Sequence, residues 1–89
     1  MANKHIKNII KIAGEILKGK ERVITNGYEV IIRMVGMKGV RTIQIYKHKS
    51  KIEMVGLDRT YYRIGRVVFS IDDMNWNKVR KFIQKCLGE

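Results

Sequence analysis

Between Lys38 and Arg66 the chain gathers eight cationic side chains, Lys38, Arg41, Lys47, Lys49, Lys51, Arg59, Arg63 and Arg66, against two carboxylates, Glu53 and Asp58. Tyr46, Tyr61 and Tyr62 run through the same stretch. Ammonium and guanidinium groups hold phosphates, and tyrosine rings stack on bases of any identity, so the combination suits a sequence-tolerant platform for single-stranded nucleic acid. Tyrosine also favours strands on propensity alone, and lysine and arginine can simply solvate an exposed sheet face. The charge of the whole chain weighs against that plainer reading. Nineteen Lys+Arg face eight Asp+Glu, for a formal +11, far more than solubility asks of so short a domain. A polyanionic partner is expected, with nucleic acid first and an anionic membrane surface or acidic protein after it.

Catalytic constellations are scarce. His5, His48 and a lone Cys86 cannot supply the three or four ligands of a zinc site, so no metal or cofactor is expected. Asp72 and Asp73 are adjacent carboxylates, but they stand where a helix needs a cap, which explains them without acid/base chemistry. Gly36-Met37-Lys38-Gly39 lacks the longer glycine pattern and following helix of a phosphate-binding loop and reads as a hairpin turn. A binding protein is expected rather than an enzyme. Cys86 has no internal partner for a disulfide and reads as a small core residue in a reducing compartment, cytosolic or, in a host with a nucleus, nuclear. Charges interrupt every apolar stretch well before the ~18 residues of a membrane span.

The elements that must position these groups follow from periodicity. Ile6, Ile9, Ile10, Ala13, Ile16 and Leu17 recur at spacings of three and four, predicting a helix over 3–18 that Gly19 ends. Asn26-Gly27 between apolar runs predicts a hairpin joining strands at 21–25 and 28–35. A strand over 40–48 alternates Ile43 and Ile45 with Thr42, Gln44 and Tyr46, giving one greasy and one wet face. Further strands are expected at 52–55 and 60–71, with Gly56-Leu57-Asp58-Arg59 as a turn and Gly65 as a bulge or bend. Beyond a cap at Asp72 or Asp73, Trp76, Val79, Ile83, Cys86 and Leu87 form an apolar stripe, predicting a helix over 73–87 that Gly88 ends. The sum is a single α+β domain, 1–89, with an antiparallel meander sheet within 21–71 and both helices on one face.

Phe69-Ser70-Ile71-Asp72-Asp73-Met74-Asn75-Trp76, followed by Val79 and Phe82-Ile83, resembles the end of the PC4-like single-stranded DNA-binding domain. That family closes with an apolar-Ser-apolar strand, a polar cap, and a helix with tryptophan in its first turn. The strand order and the glycine-broken basic stretch from Arg63 to Arg66 are also similar, and the resemblance covers residues 28 to 87. It implies a homodimer joined largely through the C-terminal helices, here Trp76, Val79 and Ile83. It also implies curved sheets that bind single-stranded DNA, or melted duplex, in transcription or replication. The chain differs from the family in carrying helix 3–18 ahead of the sheet and in lacking the usual proline and glutamate of the cap.

A homodimer is also expected on size, because a domain this short buries little more than about 60% of its unfolded surface. Two other readings remain at this stage. One is binding of structured RNA by a basic sheet, in the arrangement of the small Alu-binding subunits of the signal recognition particle. The other is a membrane-surface or protein-interaction module using the amphipathic first helix, although that stripe is also what must cover Ile43 and Ile45.

Overall fold

In a computed structural model, which describes residues 3–26, 29–34 and 41–87, the elements run α1 (Asn3–Leu17), β1 (Glu21–Asn26), β2 (Glu29–Met34), β3 (Arg41–His48), β4 (Lys51–Leu57), β5 (Arg63–Ser70) and α2 (Trp76–Leu87). The strands form one antiparallel sheet in the order β1-β2-β3-β4-β5. Short connections between alternating strands leave no other arrangement easy to reach. The turn read at 36–39, with Lys38 and Met37, lies outside the described residues, as do Gly27, Tyr28 and Gly88. Asn26 is still paired, with Glu29, so β1 extends one residue beyond the expected 21–25.

Both helices cover one face. α1 lies against β1 and β2, and α2 against β3 and β5. Ile9, Ala13 and Leu17 of α1 and Val79, Phe82, Ile83, Cys86 and Leu87 of α2 are buried with Val30 and Ile32 of β2, Ile43 and Ile45 of β3, Ile52 and Met54 of β4 and Phe69 of β5. The stripe of α1 thus packs on the sheet, with Ile6, Ile10 and Ile16 partly buried against the same core. No helix among the described residues is long and apolar enough to cross a membrane. Lys18 and Gly19 both take left-handed backbone, with φ of 54° and 86°, which ends α1 where the glycine predicted it.

Three local expectations are corrected. Gly56 is not a turn residue but an inner member of β4, facing Gly65 of β5. A Cβ on Gly56 would stand 2.4 Å from Cys86 Sγ, and one on Gly65 would stand 3.1 Å from Phe82, so this bare glycine pair is the seat of α2. The turn falls later, where Asp58 Oδ1 accepts from Thr60 N, Thr60 Oγ1 and Tyr62 N. It displaces the expected start of β5 from Thr60 to Arg63. The cap of α2 is Asn75, whose Oδ1 accepts from Lys78 N at 3.1 Å, and not Asp72 or Asp73. Those two are drawn into a turn off β5, in which Asp73 N donates to Ser70 O and Asp72 N to Ser70 Oγ.

Candidate nucleic-acid interface

Strand alternation places every second residue on the face away from the helices. Because neighbouring strands are in register, those residues fall into rows. The first row reads Arg22, Arg33, Thr42, Leu57, Arg63; the second Ile24, Ile31, Gln44, Val55, Arg66; the third Asn26, Glu29, Tyr46, Glu53, Val68. His48, Lys51 and Ser70 complete a fourth.

A bulge makes the first two rows what they are. Leu57 pairs with Arg63 but Gly56 with Gly65, so Ile64 is unpaired. A Cβ on Gly65 would face Phe82 and Cys86 of α2, and Ile64 Cγ1 lies 3.6 Å from where a Cβ on Gly56 would stand. Arg63 and Arg66, three apart, would point to opposite faces of an unbroken strand; the extra residue brings both to the open one. Next to them the Asp58 turn holds Tyr61 with φ 63°. From there its hydroxyl reaches across the sheet to accept from Arg33 Nη2 at 3.0 Å. Tyr61 is 59% and Tyr62 72% exposed. Four arginines thus flank a band of Ile24, Ile31, Val55 and Leu57 that is half-buried to exposed, with the Tyr61 ring at its rim.

The other end of the face has different electrostatics. Tyr46 sits between Glu29 and Glu53 in its row, and its hydroxyl donates to Gln44 Oε1 at 2.8 Å. Burial first, then the negative charges of Glu29 and Glu53, push its phenol above the ordinary value. Glu53 also pairs with Arg66. Tyr46 lies four residues along β3 from Thr42 in the first row, about 14 Å, so it stands at the far end of the face from the row that Tyr61 reaches.

The remaining expected residues divide. Arg41 and Lys47 fall in step with Ile43 and Ile45 and so lie on the helix side, where Arg41 is close enough to bear on the Cys86 thiol. Lys47, Lys49 and Lys51 line an open depression at the β3–β4 turn, at the opposite end from Arg63. Arg59 belongs to the Asp58 turn. Lys38 lies outside the described residues. Of the expected set, the structure therefore gathers Tyr61, Arg63 and Arg66, and adds Arg22 and Arg33 from outside the 38–66 stretch. Their signal was alternation: Arg22 with Ile24 and Arg33 with Ile31, in strands joined by a hairpin.

The three residues expected at a dimer interface stand differently. Val79 and Ile83 have no exposed surface and lie in the chain's own core, so they have none to offer a second copy. Trp76 is half-buried, its ring 5.7 Å from that of His5. Outside the sheet, α1 presents Lys4, Lys7 and Lys11, Lys18 follows its end, and α2 presents Lys78, Lys81 and Lys85, all exposed; Glu15 on this side is engaged by Arg80 at 2.9 Å. Among the described residues no three His, Cys, Asp or Glu side chains are grouped to hold a metal ion. Comparison with protein-family models, with curated proteins and with solved structures gives no significant match.

Proposed function

We propose that the protein is a binding module for single-stranded nucleic acid, which crosses the arginine–tyrosine end of the open sheet face. The observation that carries this reading is the bulge-built cluster: Arg22, Arg33, Arg63 and Arg66 flank an apolar band beside exposed Tyr61 on a face that neither α1 nor α2 covers. Bases are flat, apolar and stackable, and phosphates are anionic. A surface of aliphatic and phenolic groups edged by guanidinium matches both. A second chain of the same +11 charge is a poorer match for that face, because its arginines would meet arginines.

Fluorescence anisotropy with an oligo-dT strand and with a duplex of the same length, at two salt concentrations, tests this. Tighter binding of the single strand is expected, with a log–log salt slope of about −3 if each of four arginines holds one phosphate. Tyr61→Ala is expected to cost ~1–3 kcal/mol of binding, and Tyr46→Ala much less. Salt-insensitive binding, or equal loss from the two tyrosines, would contradict the assignment.

The lysine stripes of α1 and α2 favour one second reading, contact with the backbone of folded RNA. Lysine acts there as a point charge without stacking. Competition between oligo-dT and a folded RNA separates the two: displacement of the strand only at large RNA excess supports the first.

A further inference from the structure

On the open face two polar groups of neighbouring residues are buried without a partner among the described residues: Arg33 Nε, whose guanidinium also meets the Tyr61 hydroxyl, and Thr42 Oγ1. They belong to residues directly opposed across β2 and β3, and Thr42 is only 2% exposed. Buried polar atoms are nearly always satisfied, so two orphans side by side call for an explanation. Arg33 narrows it. Nε and Nη2 form the edge of the guanidinium that grips a carboxylate or phosphate with two parallel hydrogen bonds. Here Nη2 donates to the Tyr61 hydroxyl, a single neutral oxygen, while Nε donates to nothing among the described residues.

We propose that Arg33 and Thr42 form a seat for one phosphate group, which the Tyr61 side chain closes in the free protein. A phosphate would bring one oxygen to Nε, a second to Nη2 in place of the Tyr61 hydroxyl, and a third to the Thr42 hydroxyl as acceptor. Each orphan would thereby gain a partner. Tyr61 is built to leave. Its backbone is fixed on both sides by Asp58, through Tyr61 N to Asp58 O and through the Thr60 and Tyr62 contacts to Oδ1. Its side chain is more than half exposed and can swing without unfolding the turn. The left-handed backbone at Tyr61, uncommon for a bulky residue, marks a conformation imposed by its surroundings. As a component of the proposed nucleic-acid site, the seat depends on that reading only for the identity of the phosphate's owner.

Inorganic phosphate and an oligo-dT strand are titrated separately into 15N-labelled protein, following the Arg33 Nε–H and Thr42 amide resonances. Saturable shifts of both with inorganic phosphate are expected. Thr42→Val, which keeps shape and removes the hydroxyl, should weaken phosphate binding about 2- to 10-fold, the worth of one hydrogen bond. Tyr61→Phe, which keeps the ring and removes the competing oxygen, should strengthen it about 2- to 5-fold. No saturable shift at Arg33 with phosphate, or unchanged phosphate affinity in both variants, would overturn the seat, even if oligo-dT still bound elsewhere on the face. Phosphate binding with these variant effects but no binding of oligo-dT would uphold the seat and remove the nucleic-acid reading.

Discussion

Gly56→Ala probes how the helices are held to one face, the condition for leaving the other open. The added methyl would stand 2.4 Å from Cys86 Sγ and 3.2 Å from Cys86 Cβ, the first more than 1 Å inside ordinary contact. Cys86 is fully buried among Val79, Ile83 and Leu87 and has little room to rotate, so α2 must lift from β4. Overpacking of this kind costs ~1–3 kcal/mol, and at this size each kcal/mol lowers Tm by ~4–8 °C. Cys86→Ala removes the sulfur, leaving a contact that a shift of a few tenths of an ångström relieves. Alone it is expected to cost about 1 kcal/mol. Combined with Gly56→Ala it should recover most of the loss, a coupling of about 1–2 kcal/mol. Thermal and urea unfolding by circular dichroism of the four proteins measures the cycle. A Gly56→Ala variant within ~0.5 kcal/mol of wild type, or strictly additive changes, would refute the seating of α2 on the glycine pair.

Further outcomes follow from the same geometry. Asn75→Ala is expected to lower stability by about 1 kcal/mol through loss of the Lys78 cap, whereas exposed Asp72→Ala should change it by less than ~0.5 kcal/mol; urea midpoints decide between the two caps. Burial raises the Cys86 thiol against the opposing charges of Lys85 and Arg41, so an aromatic disulfide reagent at pH 8 should label it only on unfolding, and rapid native-state labelling would contradict the packing. Tyr46 is raised by burial, Glu29 and Glu53. Its neutral phenol therefore stabilises the fold fully below the unfolded value near 10, and that contribution is lost as pH rises through the higher folded value. Glu29→Gln should bring its tyrosinate absorbance to lower pH. Asp58 is lowered chiefly by the Thr60 hydroxyl, with the Tyr62 amide next. Its support of the turn is complete above pH ~4 and lost as pH falls through its depressed folded value, which the Tyr61 and Tyr62 amide resonances should report.

The periodic elements were legible because a single chain carries its own register. Ile9, Ala13 and Leu17 mark the inner face of α1 by spacing alone, and Ile43 and Ile45 fix which side of β3 is wet. What depends on a distant neighbour was not legible. Gly56 looks like any turn glycine until Cys86 is placed 30 residues away across the core. Any of Asp72, Asp73 and Asn75 could cap a helix, and the choice falls to the one whose side chain reaches an amide when Trp76 and Val79 turn inward. How the cations group on the folded sheet was not legible for a related reason. Cations were grouped by nearness in sequence, whereas the sheet groups them by row, separating Tyr61 from Tyr46, turning Arg41 and Lys47 to the helix side, and recruiting Arg22 and Arg33 from an earlier hairpin. Alternation would have excluded Arg41 and Lys47; the bulge that unites Arg63 with Arg66 was visible only as a glycine.

The most direct test of the central claim is a 15N–1H map of the protein titrated with oligo-dT at low salt. Shifts concentrated on Arg22, Arg33, Thr42 and the segment from Tyr61 to Arg66, fading toward Tyr46, are the result the account requires. Shifts confined to the lysine faces of α1 and α2, or centred on Tyr46 and the β3–β4 turn, would contradict it.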